Sequence, residues 1–209
     1  MLNYSHPPLP DKSYCVAVCA SCSQCASERA VMHWIDPASL PEKKGKVSQF
    51  LVNPHGELDG LILGRSLLVH FPPHLGRQVA RHVSVGSTVR VRGVKPRGAD
   101  VLAAVSLTAE DNAVIIDNAP GETSHGMHPI EGRRKPGEAT GRVMLSLFGP
   151  KGELRGALLE NGISLRMAPH AASELVDYLT PGTFVHAWGD VVKTRYGTTL
   201  DAESIAFSE

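Results

Sequence analysis

Several things are scarce in this chain, and each scarcity excludes something. No run of 18 or more apolar residues occurs, so no membrane-spanning helix is expected. The opening MLNYSHPPLPDK has no apolar core of the kind a secretory signal needs. The expected compartment is therefore cytoplasmic, of the bacterial type or its equivalent, where thiols stay reduced. Charge of one sign is also missing: 21 Lys and Arg cancel 21 Asp and Glu, so the whole-chain charge predicts no tight hold on nucleic acid. Aromatics make up only 5% of the residues. There is no HExxH, no nucleophile elbow with Ser/His/Asp partners and no phosphate-cradling glycine loop, so no enzyme is expected. Cysteine is absent from the whole chain beyond Cys25.

What is present is an ordinary globular composition, 42% hydrophobic and 20% charged, over 209 residues. That length suits one large domain or two small ones. The neutral total hides an asymmetry. Residues 45–108 carry eight Lys/Arg against three Asp/Glu, whereas residues 141–209 carry six against eight. The basic half is the better candidate for phosphate contact.

An internal repeat organises the chain. Sliding it by 96 residues lays GKVSQFLVNPHGELDGLIL (45–63) on GRVMLSLFGPKGELRGALL (141–159), and 14 of the 49 positions from 45 to 93 are identical. Pro73-His74 falls on Pro169-His170, Gly86 on Gly182, Val89 on Val185 and Gly93 on Gly189. In each copy an apolar run of strand length ends at a Pro-x-Gly turn, Pro54-His55-Gly56 or Pro150-Lys151-Gly152. Second strands follow at 58–63 and 154–159, and third strands at 67–71 and 163–167. HLGRQVARHV spaces Leu75, Val79 and Val83 by four, and HAASELVDYL does the same with Leu175 and Leu179, so each copy has one short amphipathic helix. VRVRG (89–93) and VHAWG (185–189) alternate as half-exposed fourth strands, and last strands run over 101–107 and 199–207.

This β-β-β-α-β-β order resembles the oligonucleotide/oligosaccharide-binding (OB) fold, a five-stranded Greek-key barrel. The fold class expected is thus mainly β: two tandem OB-like barrels from an internal duplication, preceded by an N-terminal Cys-bearing α-helix. The expected organisation is an N-terminal segment 1–44, a first barrel 45–117, a Pro/Gly-rich linker 118–140 and a second barrel 141–209. A short strand over 114–116 would belong to the first copy.

The segment SYCVAVCASCSQCASERAVMHW lacks Gly and Pro, and Ser13 can cap it as a helix. Cys15, Cys19, Cys22 and Cys25 then share a face about 120° wide. Cys15 and Cys25 would stand about 15 Å apart, too far to surround one tetrahedral zinc whose Zn–S bonds are about 2.3 Å. Neighbouring pairs suit Cu(I), and a second helix or subunit could complete a site, with homo-oligomerisation through this helix. Met32 and His33 are extra candidate ligands. As a loop, the segment could close on Cys₄ zinc(II). The alternative is that four small, apolar-leaning side chains simply pack. The spacing resembles small four-helix-bundle copper-binding proteins rich in CxxxC and CxxC, which implies soft-metal binding with the barrels as scaffold.

The other candidate function is binding of single-stranded DNA or RNA. Arg90 and Arg92 alternate on strand four, and Lys95 and Arg97 continue into the 4–5 loop, which the OB resemblance implies as a ligand contact. The matching region of copy two holds Trp188, Lys193, Arg195 and Tyr196, cations mixed with rings on which bases can stack. His74 and His170 suit helix entry, and Glu57 and Glu153, each after a turn glycine, suit a turn role.

Overall fold

The computed structural model describes residues 36–117 and 134–208. Cys15, Cys19, Cys22, Cys25, Met32 and His33 lie outside them, and so does the helix expected there. The first repeat comprises β1 (Glu42–Val52), β2 (Leu58–Leu63), β3 (Leu67–His70), α1 (Gly76–His82), β4 (Thr88–Val94), β5 (Val101–Thr108) and a short β6 (Val114–Ile116). The second comprises β7 (Lys135–Phe148), β8 (Leu154–Leu159), β9 (Ile163–Arg166), α2 (Pro169–Glu174), β10 (Phe184–Thr194) and β11 (Gly197–Phe207). Each set closes on itself. Antiparallel neighbours run β3-β2-β1-β4-β5, and a parallel pairing of Leu68 with Val101 joins β3 to β5. The second barrel closes as β10-β11-β9-β8-β7 with the same parallel β9–β11 seam. Two closed five-stranded barrels with a helix between strands three and four agree with the OB-like topology expected from the repeat.

The likeness extends to irregularities. β1 and β7 each slip register twice, at Val47/Gln49 and Leu51/Val52 in one and at Val143/Leu145 and Leu147/Phe148 in the other. The fourth strands bulge at Arg92/Gly93 and Trp188/Gly189. Glycine is required at that bulge, because a Cβ on Gly93 or Gly189 would run into the carbonyl oxygen of Ala103 or Asp201. Barrel interiors are filled by equivalent residues, with Val47, Leu63 and Val89 buried in one and Val143, Leu159 and Val185 in the other.

Three sequence expectations need adjustment. The segment read as linker, 118–140, overlaps β7, which starts at Lys135. Residues 135–142 pair with β10 alone, and a strand paired on one side tolerates Pro136. β1 likewise begins at Glu42, three residues ahead of the repeat. α2 is shorter than its counterpart. It ends at Glu174, and the chain continues in three-residue turns, Tyr178 N donating to Leu175 O and Leu179 N to Val176 O, each at 3.1 Å. Glu57 and Glu153 do hold their turns. Glu57 Oε2 accepts from Asn53 Nδ2 at 3.0 Å, and Glu153 Oε2 from the Lys151 amide at 3.0 Å.

The barrels meet along a buried seam. Leu51, Ile62, Leu68 and Val101 of the first form one apolar cluster with Leu147 and Leu158 of the second. Leu51 and Leu147 are repeat equivalents, as are Ile62 and Leu158. The seam thus draws on two of the same positions in both barrels. A buried ion pair crosses it, Arg166 Nη2 to Asp59 Oδ1 at 3.0 Å. Its cross-related positions, 155 and 70, are Arg155 and His70. Arg166 Nε is buried with no hydrogen-bond partner among the described residues. Burial pushes the Asp59 carboxyl above the usual carboxylate range, outweighing the pull of Arg166. Burial likewise holds His70 below the usual imidazole range, against the attraction of Asp59.

Candidate nucleic-acid interface

On β4 the buried residues Val89 and Val91 point into the barrel, so Thr88, Arg90 and Arg92 point out. Register sets what stands beside them. On β1, Glu42 lies opposite Arg92, Lys44 opposite Arg90 and Lys46 opposite Thr88. On β5, Ser106 and Thr108 face Arg92 and Arg90. The outer sheet face is thus a cationic strip with hydroxyls on one flank. Arg92 Nε is tied to Glu42 Oε2 at 2.9 Å, a surface pair of little energetic weight. Arg90, Lys44 and Lys46 have no ion-pair partner among the described residues, and all three are exposed. The juxtaposition of Lys44 and Arg90 directly across two strands is mutually repulsive unless an anion sits over it.

The same face of the second barrel has changed chemistry. Position by position at the 96-residue offset, Thr88, Arg90 and Arg92 become Phe184, His186 and Trp188. His186 and Trp188 stack, with centroids 4.0 Å apart and planes 23° from parallel. His186 Nε2 lies 2.9 Å from Glu138 Oε2, and Glu138 is the repeat equivalent of Glu42. Arg142 stands 5.9 Å over the Phe184 ring. Trp188 is 39% exposed, an unusual position for an indole that has a strand to pack on.

The remaining sequence candidates are dispersed. Lys95 is paired with Asp100 at 2.8 Å, while Arg97 is exposed at the loop tip without an ion-pair partner among the described residues. That loop lies against the second barrel, with Pro96 and Ala99 near Gly152. Lys193 is exposed near the end of β10, opposite Thr198. Arg195 and Tyr196, in the β10–β11 turn, reach the first barrel. Tyr196 packs edge-on to Phe50 at 6.0 Å, and Arg195 stacks over Tyr196 at 4.7 Å. Tyr196 is therefore braced on two sides and is not grouped with Trp188. Lys44, Lys46, Phe184 and His186 join the outer faces although sequence reasoning passed over them for this role. The alternation in KKGK (43–46) was the available signal for the lysines.

On strands two and three, the aliphatic residues Ile62, Leu68 and Leu158 lie under the other barrel. Among the described residues no three His, Cys, Asp or Glu side chains come together as a metal would require, and no helix is long and apolar enough to cross a membrane.

No family model matches the chain, and no curated protein matches its sequence. Among solved structures, the chain is similar to the wild-type single-stranded DNA binding protein from Thermus aquaticus. The identity is 13%, with 80% of this chain and 91% of that one covered, at a TM-score of 0.26. A deletion mutant of the same Thermus aquaticus protein matches at 14% identity over 80% and 93%, again at 0.26.

Proposed function

We propose that this chain is a non-enzymatic tandem OB-like protein that binds single-stranded nucleic acid on the outer β1–β4 and β7–β10 faces. The observation that supports this reading is the pairing of chemistries at equivalent positions: unpartnered cations on one face, an exposed stacked ring pair on the other. Single-stranded binding needs both, cations tracking the phosphates and rings accepting bases that no partner strand covers. Arg90, Lys44 and Lys46 engage phosphates, with Arg92 joining by exchanging Glu42 for a phosphate oxygen. Trp188 and His186 receive bases.

Titrating the protein with an oligothymidylate while following tryptophan emission tests this. Wild type should show saturable quenching whose affinity falls with salt. The Lys44→Glu, Arg90→Glu double variant should bind more weakly, with a log–log salt slope shallower by about 1.4, since each single-strand phosphate contact contributes about 0.7. Absence of wild-type binding at low salt, or an unchanged slope in the double variant, rejects the reading.

A further inference from the structure

A cleft of about 620 Å³ lies where the first barrel's helix meets the second barrel's β10–β11 turn. Its walls include His55, His74, Arg77, Arg81, Arg195 and Tyr196, and among the described residues Glu57 is the one carboxylate lining it. The arginines come from both barrels: Arg77 and Arg81 from α1, Arg195 from the turn that crosses the seam. Neither Arg77 nor Arg81 has an ion-pair partner among the described residues, and both are exposed. Glu57 is already engaged by Asn53 Nδ2 at 3.0 Å, and His74 Nε2 stands 3.3 Å from Asp117.

Without a ligand the two helix arginines are mildly unfavourable to each other. Arg77 and Arg81 sit four apart on a helix of only seven residues, where like charges oppose helix formation. The repeat shows that the fold does not need them, because the equivalent positions in the second barrel are Ser173 and Asp177. Three guanidinium groups around a concave space of this size match adjacent phosphate groups, which arginine holds through paired N–H donors. The volume falls within the roughly 300–1,000 Å³ common for small-molecule sites.

We infer that this cleft is a second anion site, one that takes a ligand with two or more linked phosphates and is complete only when both barrels contribute. A free nucleoside polyphosphate and the backbone of a nucleic-acid strand share that chemistry. The site uses none of the outer-face residues, so it stands or falls separately from the function proposed above.

Calorimetry of the full chain at low salt with three probes tests it: sodium tripolyphosphate, adenosine triphosphate and an oligothymidylate. Tripolyphosphate should bind, with affinity falling as salt rises. Arg77→Gln with Arg81→Gln, and separately Arg195→Gln, should each weaken it by about tenfold or more, the loss expected when a charged hydrogen-bonding partner is removed. Gln is a good helix former, and circular dichroism checks that α1 persists. In a Lys44→Glu, Arg90→Glu background, Arg77→Gln with Arg81→Gln should weaken tripolyphosphate binding by the same factor as in the wild-type background. If adenosine triphosphate binds tighter than tripolyphosphate, the occupant is a nucleotide. If the oligothymidylate competes with tripolyphosphate, the occupant is a strand. Failure of tripolyphosphate to bind wild type, or equal binding by either arginine variant, overturns the inference. Loss of oligothymidylate binding alone in the outer-face variant leaves it intact.

Discussion

The outer faces of the two barrels share a backbone and differ in chemistry. Where β4 presents Thr88, Arg90 and Arg92, β10 presents Phe184, His186 and Trp188, and both strands carry the same bulge before the same glycine. Inside the barrels the reverse holds, with Val47, Leu63 and Val89 matched by identical residues 96 positions later. Interior packing and close backbone approach admit few side chains, whereas an outward strand position admits almost any. The seam has diverged as well, since Asp59 and His70 of the first barrel answer to Arg155 and Arg166 of the second. Duplication left two copies of one scaffold, and each copy then acquired what the other lacks.

The seam is where breaking this complementarity costs most. Asp59→Ala strands Arg166 in a buried place without its counter-charge, and chemical denaturation should show a loss of about 3–5 kcal/mol. The Asp59→Leu, Arg166→Met double variant should recover most of that, because the paired charges also carry a desolvation cost. A single-variant loss below about 1 kcal/mol would place the pair in the class of surface bridges.

The outer faces should separate by salt. Trp188→Ala should cost about 1–3 kcal/mol in oligothymidylate affinity while leaving the salt slope as in wild type. Arg90→Ala should flatten that slope by about 0.7. Should both variants change the slope alike, the division between a phosphate face and a base face fails.

The smallest effect is a pH dependence. His70 titrates lower in the folded protein than in the unfolded chain, so its contribution is present above about pH 6.5 and is lost as pH falls toward the folded value. Asp59 is shifted upward, so its contribution has the opposite sign: present at acid pH and lost as pH rises through the folded value. His70→Gln should therefore lose less stability than wild type between pH 7 and pH 5.5, read from urea midpoints at each pH. Equal losses would assign the dependence to other groups.

Much of the barrel architecture was legible because the duplication displays it twice. The constant offset marks the Pro-x-Gly turns, the bulge glycines and the inward valines, and alternation in VRVRG and VHAWG gives the direction of each side chain. The candidate site was legible only within a strand. That Arg90 and Arg92 share a face follows from a period of two, but that Lys44 and Glu42 stand beside them depends on the β1–β4 register, which no local pattern encodes. The fifth strands also fall out of the 96-residue step: Gly93 pairs with Ala104 but Gly189 pairs with Ala202, an offset of 98 there. β10 and β11 run on as a longer hairpin than β4 and β5, and its two-residue turn brings Arg195 and Tyr196 to the other barrel. Contacts across the seam are tertiary, and residues as plain as Leu68 and Ile62 carry no mark of being covered from outside.

The seam has one more consequence, for behaviour on dilution. Contacts between separate subunits obey mass action and fall apart as concentration drops. Here Asp59 and Arg166 belong to one polypeptide, so each half meets the other at an effective concentration that dilution of the protein does not change. The thermal midpoint of the two-barrel unit is accordingly expected to stay constant across a thousandfold dilution.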